Sequence, residues 1–222
     1  MIRNIAFLHT VPFLVEPFSR LVAENLSGVA CFHVVDEGIL KEVFRDGVLA
    51  PKVLRRILEH SVLAAQAGAE LIVFTCSSTS PAVDCIRPLT DVPIMKVDEP
   101  MAETAVRLGS KIGVLATVRT TLEPSAALVK SEAERQGKTV EVDARLEAEA
   151  FQARLSGNVS EHDRIIRQAC ADLAARNDVV VLAQASMAHL AVSLQSELNR
   201  PVLSSPPLCM EALKKLVGDR RS

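Results

Sequence analysis

The sequence predicts an α/β fold built from two similar halves, and three observations support this prediction. Short apolar runs of strand length alternate along the whole chain with segments in which apolar residues recur at helical spacing. This alternation is typical of parallel sheets whose strands are joined by right-handed helical crossovers. Glycines stand where predicted helices end, at Gly68, Gly109 and Gly137. Similar segments also recur 107 or 108 positions apart, which is close to half of the 222 residues.

The predicted elements follow one another in strand–helix order. Buried parallel strands are continuous runs of Val, Ile and Leu, whereas amphipathic helices carry apolar residues three and four positions apart. By these patterns, strands cover residues 4–10, 71–74, 93–97, 111–116, 139–142, 179–182 and 201–203. Helices cover residues 55–67, 100–108, 123–136, 163–176 and 208–217.

The internal similarity has a consistent register. Residues 69–76 resemble residues 177–184, and the segment around Pro93 resembles the segment around Pro201. Any two buried strands look alike, because both are rich in Val, Ile and Leu. Several blocks in one register, anchored by a proline and a glutamate, favour a duplicated unit instead. The equivalent pairs are Pro93 and Pro201, Glu103 and Glu211, Cys76 and Gln184, all 108 apart, and Thr10 and Thr117, which are 107 apart.

The turn after the strand at residues 71–74 is the first candidate site. In open parallel sheets ligands bind beyond the carboxyl ends of the strands, so two such lobes facing each other would enclose one site. Cys76 stands in a hydroxyl-rich turn with Ser77 and Ser78, ahead of Pro81, which suits the first turn of a helix. Donors at a helix N-terminus bind anions and favour a thiolate, so Cys76 is a candidate acid, base or nucleophile.

The alternative interpretation is that a cysteine is a small buried apolar residue. This interpretation is preferred for the other four cysteines, which are scattered without a Cys-x-x-Cys pair. They are Cys31, Cys85, Cys170 and Cys209.

A second turn with the same character follows the strand at residues 111–116. Thr117, Thr120 and Thr121 precede a predicted helix that has Pro124 just inside it. These hydroxyls predict an anion-binding turn, although Thr120 or Thr121 could equally cap the helix. Thr10 and Ser186 also follow strands and are candidate substrate-binding residues. The two histidines near these strand ends, His9 and His189, are interpreted as structural.

Composition excludes several functional classes. The net charge is -2 without basic or acidic blocks, which argues against nucleic-acid and anionic-membrane partners. Seven Phe with no Tyr or Trp provide little for base stacking.

No apolar run reaches the roughly 18 residues of a membrane helix, and the chain enters a strand without a signal-peptide pattern, so we expect a cytoplasmic protein. In this reducing compartment, five scattered cysteines are expected to be free thiols. Neither metal-ligand spacing nor a nucleotide-binding glycine fingerprint occurs, so we expect no cofactor.

Three segments carry a resemblance to a known family: residues 74–78, residues 111–117 with the pair Thr120 and Thr121, and residues 181–188. They resemble the aspartate/glutamate racemase superfamily, which includes hydantoin racemases, maleate isomerases and arylmalonate decarboxylase. The resemblance covers nearly the whole chain. It implies two pseudo-symmetric flavodoxin-like lobes, each a parallel four-stranded sheet flanked by helices, with residues 1–98 and 206–222 in one and 99–205 in the other. It also implies a site between the lobes, no cofactor, a small carboxylate or hydantoin-like ligand, and a homo-oligomer.

The sequence departs from the racemase pattern at one position. Racemases of the family use two thiols on opposite faces of the substrate carbon, and the second thiol would fall at Gln184. An amide cannot act as a general acid or base near neutral pH, but it could hydrogen-bond a carboxylate, amide or ureido group, or stabilise an enolate. Three hypotheses follow: a racemase or isomerase that uses Cys76, a single-cysteine decarboxylase or lyase, and a protein that binds a small acid without converting it.

Overall fold

The computed structural model describes residues 2–218, and these form two compact units. The first unit comprises the chain up to Val97 together with the segment from Pro207 onward, and the second unit is Asp98–Pro206. No described helix is both long enough and apolar enough to span a membrane.

The first unit contains a parallel sheet in the order β2-β1-β3-β4. The central strands β1 and β3 are almost entirely buried, whereas the edge strand β2 is only half-buried. The four strands are β1 (Asn4–His9), β2 (Ala30–Val35), β3 (Leu71–Phe74) and β4 (Ile94–Lys96). The helices are α1 (Val15–Asn25), α2 (Glu37–Asp46), α3 (Pro51–Gln66) and α4 (Pro81–Ile86), with 3-10 turns at Pro12–Leu14, Ser77–Thr79 and Arg87–Leu89.

The second unit repeats this arrangement. Its parallel sheet has the order β6-β5-β7-β8, again with buried central strands and a partly exposed edge strand, β6. The helices and strands are α5 (Glu99–Leu108), β5 (Lys111–Ala116), α6 (Arg119–Arg135), β6 (Glu141–Leu146), α7 (Ala148–Leu155), α8 (Val159–Ala174), β7 (Val179–Leu182), α9 (Ala191–Leu198) and β8 (Val202–Ser204). A 3-10 segment, Ala185–Leu190, follows β7, and α10 (Ser205–Gly218) continues from the second unit into the first.

The register of the central strands is the same in both units. Leu8 of β1 pairs with Phe74 of β3, and Leu115 of β5 pairs with Leu182 of β7. The residue pairs that follow these strands are therefore equivalent, and each pair lies at the carboxyl edge of its sheet, where ligands bind in open parallel sheets.

The predicted fold class is confirmed, with two parallel four-stranded sheets flanked by helices. The sequence analysis missed β2 and the helices α1, α2, α7 and α9. The predicted strand at residues 139–142 also lies too early, because β6 alternates charged with apolar residues and lacks a continuous apolar run. Helix α6 begins four residues earlier than predicted, so Pro124 lies inside it.

Candidate active site

Cys76 and Gln184 occupy equivalent positions in the two units. Each residue lies just beyond the second central strand and precedes a 3-10 turn, as the residue that caps it. Both have extended backbones, with φ -110° and ψ 106° at Cys76 and φ -133° and ψ 134° at Gln184. An extended residue followed by a tight turn projects its side chain from the strand end, so each unit presents one side chain in the same way.

The turn that carries Cys76 is compact and mostly buried. The Cys76 side chain is 9% exposed, Ser78 is buried and Ser77 is partly exposed. The Thr79 amide donates to the Cys76 carbonyl over 3.2 Å, which closes the 3-10 turn. Pro81 is the first residue of α4, as the sequence predicts. The helix is one turn and a half long, however, so the turn itself shapes the surroundings of the thiol.

A chain of buried and partly buried polar side chains lies behind this turn. The Thr75 hydroxyl lies 2.8 Å from Nδ1 of His9, and Nε2 of His9 lies 2.8 Å from Nδ1 of His33. Nε2 of His33 lies 2.7 Å from the Ser19 hydroxyl. Burial, and then the neighbouring His33, lower the pKa of His9 to about 4, and burial also lowers the pKa of His33. Both imidazoles are therefore neutral at pH 7.

The turn after β7 is closed by a different interaction. The carbonyl oxygen of the Gln184 side chain accepts two hydrogen bonds from Thr117, one from the backbone N–H at 2.7 Å and one from the hydroxyl at 2.9 Å. Because a backbone N–H can only donate, the oxygen of the amide faces Thr117 and the NH₂ group faces away. Two donors that converge on one oxygen are the arrangement that binds an oxyanion or a carboxylate oxygen.

The remaining candidate residues lie near the ends of the same strands. Thr10 directly follows β1 and is buried. Thr120 and Thr121 lie in the first turn of α6, whose capping residue is Val118, so neither threonine caps the helix. Ser186 is partly exposed, and its carbonyl accepts a hydrogen bond from Nδ1 of His189 over 3.1 Å.

The other cysteines differ from one another in their environments. Cys170 and Cys209 are fully buried, and burial raises the pKa of the Cys170 thiol to about 12, which suits the apolar interpretation. Cys31 is half-buried on β2. Cys85 is exposed on α4, so the buried-residue interpretation is wrong for it. Among residues 2–218, no group of three or more His, Cys, Asp or Glu side chains is placed to hold a metal ion.

The sequence analysis also missed a charged groove of about 480 Å³ in the first unit. Asp36 is buried at its base and pairs with Arg56 and His60, both on α3. Burial raises the pKa of Asp36, but the hydrogen bonds from His60 and Arg56 outweigh it and hold the pKa below its ordinary value. Asp36 follows the edge strand β2. From the sequence alone, a single Asp before a helix is interpreted as an N-cap, and Asp36 does cap α2.

Comparison with known proteins identifies the family. Residues 29–213 match the model of the Asp/Glu/hydantoin racemase family, and the chain belongs to that family. No curated protein matches the sequence significantly.

Solved structures share the fold at low sequence identity. Allantoin racemase from Klebsiella pneumoniae is 16% identical with a TM-score of 0.72, over 98% of this chain and 89% of that one. Picrophilus torridus aspartate racemase is 13% identical with a TM-score of 0.71, over 97% of this chain and 94% of that one. An unliganded arylmalonate decarboxylase is 14% identical with a TM-score of 0.60, over 97% of this chain and 93% of that one.

Proposed function

We propose that the protein is a cofactor-independent isomerase of a small carboxylate, amino-acid or hydantoin-like compound, and that Cys76 is its single reactive thiol. The observation that carries the proposal is the contrast between two equivalent positions. One presents a thiol at the carboxyl edge of a parallel sheet, and the other presents an amide whose oxygen is already bound by Thr117. Membership of the racemase family supports the reaction class.

The proposed step is proton transfer at a carbon next to a carbonyl or carboxyl group. The Cys76 thiolate takes the proton, and the electron pair of the broken C–H bond moves onto the neighbouring oxygen to give an enolate. When the thiol returns a proton to the same face, the C–H bond of the starting isomer re-forms and the thiolate is restored. When a water molecule protonates the opposite face instead, the hydroxide that it leaves takes the thiol proton, the thiolate is restored, and the product is the other isomer. Proton transfer by a positioned side chain of this kind accelerates a reaction by about 10²- to 10⁴-fold.

Gln184 contributes hydrogen bonds rather than protons. Thr117 holds its side-chain oxygen, so the amide NH₂ group remains as a donor with a fixed direction. We propose that this donor binds an oxygen of the ligand, where charge develops as the enolate forms. The hydroxyls near the strand ends are proposed to bind the ligand's polar groups. They belong to Thr10, Ser77, Ser78, Thr120, Thr121 and Ser186.

A second candidate function is decarboxylation, and the amide at position 184 favours it. A decarboxylase needs one proton donor, because loss of CO₂ leaves the electron pair on the carbon as an enolate and a single thiol then protonates it. The fold shared with arylmalonate decarboxylase is compatible with this reaction. The two candidates differ in the product, since decarboxylation releases CO₂ and isomerisation leaves the mass unchanged apart from exchanged hydrogen.

Deuterium exchange tests both candidates in one experiment. The protein is incubated in deuterated water with a panel of small amino acids, hydantoins and substituted malonates, and deuterium at the α-carbon is read by mass spectrometry. We expect exchange or CO₂ loss with the wild type and with Cys85→Ala, which removes the exposed thiol, and neither with Cys76→Ala. Ligands that raise the melting temperature without any exchange or product would replace the proposal with a binding function.

A further inference from the structure

The hydrogen bonds behind the Cys76 turn have two consistent directions, because the hydroxyl at each end of the chain also faces a backbone carbonyl. The Ser19 hydroxyl lies 2.9 Å from the Val15 carbonyl, and the Thr75 hydroxyl lies 3.1 Å from the Leu8 carbonyl. If Ser19 donates to Val15, both neutral rings are protonated on Nε2: His33 donates to Ser19, His9 donates to Nδ1 of His33, and Thr75 donates to Nδ1 of His9. If Thr75 donates to Leu8, every bond is reversed and both neutral rings are protonated on Nδ1. In either direction the four side chains share one continuous order of donors and acceptors.

The surroundings of the two imidazoles keep this order intact. The ring planes of His9 and His33 lie within 19° of each other, with centroids 5.1 Å apart. Phe7 stacks on His33, and Phe18 lies against His9 at 5.7 Å. His9 is 0% exposed, and apolar rings on its faces disfavour a charged imidazolium.

Protonation of His9 leaves a single arrangement of the chain. A cationic His9 donates from both ring nitrogens, so the Thr75 hydroxyl must donate to the Leu8 carbonyl, which lies 3.1 Å away, and Nδ1 of His33 must accept.

The fold itself does not need this chain. The second unit has the same sheet order and the same strand register, and there the equivalent residues are alanines. Ala183 corresponds to Thr75, Ala116 to His9, and Ala144 of the edge strand to His33, since Val114 pairs with Ala144 as Phe7 pairs with His33. Burying a polar group costs free energy unless its hydrogen bonds are satisfied. The alanines of the second unit form the same sheet without this cost. Of the two equivalent turns, the polar chain lies beneath the one that carries the thiol.

We propose that His9, His33 and Ser19 are positioning residues that fix the Thr75 hydroxyl and thereby the backbone from which the Cys76 thiol projects. The inference deepens the proposed function, because it assumes that Cys76 is the reactive group. The three residues act through Thr75 and are not proposed to touch the ligand.

Few other titratable groups face the chain. On β2, the Cys31 sulfur lies 3.9 Å from Nε2 of His33, and burial raises the pKa of this thiol, so it is neutral at pH 7. On α1, Glu16 and Arg20 pair with each other on the exposed surface. After β2, the Asp36 amide donates to the His9 carbonyl, while its carboxylate pairs with Arg56 and His60. After β3, the Cys76 thiol itself follows Thr75.

Nitrogen-15 NMR of the histidine rings tests the continuity of the chain without any substrate. At pH 7 both His9 and His33 are expected to be neutral and protonated on the same ring nitrogen. His9 should stay neutral down to about pH 5, because its pKa is about 4. Different tautomers in the two rings, or titration of His9 near the ordinary value of about 6.5, would overturn the proposed order.

Paired variants at His33 test the effect on Cys76. His33→Asn keeps an acceptor for His9 in the place of Nδ1, and His33→Leu removes it. In the exchange assay, His33→Leu should lower kcat by about 10- to 100-fold and change KM by less than about 3-fold, because misplaced catalytic groups act on the chemical step. His33→Asn should recover kcat to within about 3-fold of the wild type.

His60→Asn, which removes an imidazole from the same unit, is the control and should keep kcat within about 2-fold. Circular dichroism and melting curves verify that each variant is folded. Equal losses in the Asn and Leu variants, or a rise in KM alone, would overturn the positioning role.

Alkylation separates this inference from the proposed function if no panel compound is converted. Labelling by iodoacetamide is followed at Cys76 and, as an exposed internal reference, at Cys85. A loosened turn opens a buried thiol to the reagent, so His33→Leu should raise the ratio of Cys76 to Cys85 labelling by about 3-fold or more. His33→Asn should leave the ratio unchanged. The same ratio in all three proteins would contradict the inference, whatever the outcome with substrates.

Discussion

The two units have the same sheet order, but different side chains lie at the carboxyl ends of their central strands. In the first unit β1 ends in His9 and β3 is followed by Thr75, which forms a hydrogen bond with His9, and Cys76 comes next. In the second unit β5 ends in Ala116 and β7 is followed by Ala183, and the next residue, Gln184, binds Thr117. The turn after β3 carries a thiol and contacts polar side chains of the neighbouring strands. The turn after β7 is instead closed by the side chain of Gln184, the residue equivalent to Cys76.

The difference shows which polar groups the fold requires. Since alanines at the equivalent positions support the same register, the two imidazoles of the first unit are not needed to form the sheet. Satisfied buried polar networks make a local structure unique and rigid. Rigidity is useful where one atom must be held in position, and we propose that in the first unit this atom is the Cys76 sulfur.

The largest expected effect contrasts the two presented side chains. Cys76→Ala should reduce the rate of deuterium exchange by about 10³-fold or more, because it removes the group that we propose transfers the proton. Gln184→Ala should reduce it less, by about 10- to 100-fold, the value of one hydrogen bond to a developing charge. Similar losses in both variants, measured as kcat/KM, would mean that the two positions share the proton transfer.

The next effect is the pH dependence of stability. His9 has a pKa of about 4 in the folded protein, below its unfolded value, so the unfolded chain binds more protons between these values. Stability should therefore fall as the pH drops from about 7 to 5, by about 2 kcal/mol from His9 alone.

Urea unfolding at pH 7 and at pH 5 measures this term. His9→Asn, which cannot take up the proton, is the comparison and should lose less stability by about that amount. Equal losses in the two proteins would show that His9 titrates alike in the folded and unfolded states.

A smaller effect separates the two threonines that support the turns. Thr75→Val leaves Nδ1 of buried His9 without its hydrogen-bond partner and should cost about 1 to 2 kcal/mol in the free energy of unfolding. Thr117→Val should cost about 0.5 kcal/mol, because the backbone N–H still holds the Gln184 oxygen. Serine at either position keeps the hydroxyl and is the matched control in chemical unfolding. A larger loss at Thr117 would contradict the asymmetry.

The smallest effect concerns two arginines near the turns. Arg119 pairs with Glu123 on the exposed surface of α6, so Arg119→Ala should change the free energy of unfolding by less than about 0.5 kcal/mol. In the first unit Arg87 also donates from Nε to the Ile94 carbonyl over 3.0 Å, so Arg87→Ala should cost more, about 1 kcal/mol. Thermal unfolding of both variants checks the order, and a ligand-induced melting shift lost only in Arg119→Ala would instead mark Arg119 as a ligand contact.

Much of this arrangement is predictable from local sequence. The β3 run ends in a hydroxyl-rich turn before Pro81, so the carboxyl end of a central strand can be located without a structure. The repeat of 108 positions then pairs Cys76 with Gln184, and the structure gives them the same backbone conformation. Strand ends and repeats are encoded by neighbouring residues, which is why these inferences succeed.

The supporting contacts are not predictable in this way, because their partners are far apart in the chain. His33 lies on an edge strand that is only half-buried, and it interrupts the short apolar run of that strand, so neither β2 nor its pairing with β1 is evident. The bond between Gln184 and Thr117 joins residues 67 positions apart. Each requires the sheet order before it can be inferred, since the order decides which strand ends are neighbours.

The central claim is that one thiol acts on the ligand, and the ratio of exchange to inversion tests it most directly. A pure enantiomer of a converted compound is incubated in deuterated water, and deuterium uptake and optical purity are followed together. A single thiol takes and returns the proton on the same face, so exchange should exceed inversion by about 10-fold or more, and Cys76→Ala should lack both. Exchange and inversion at equal rates would require a second acid or base on the opposite face, and would contradict the account.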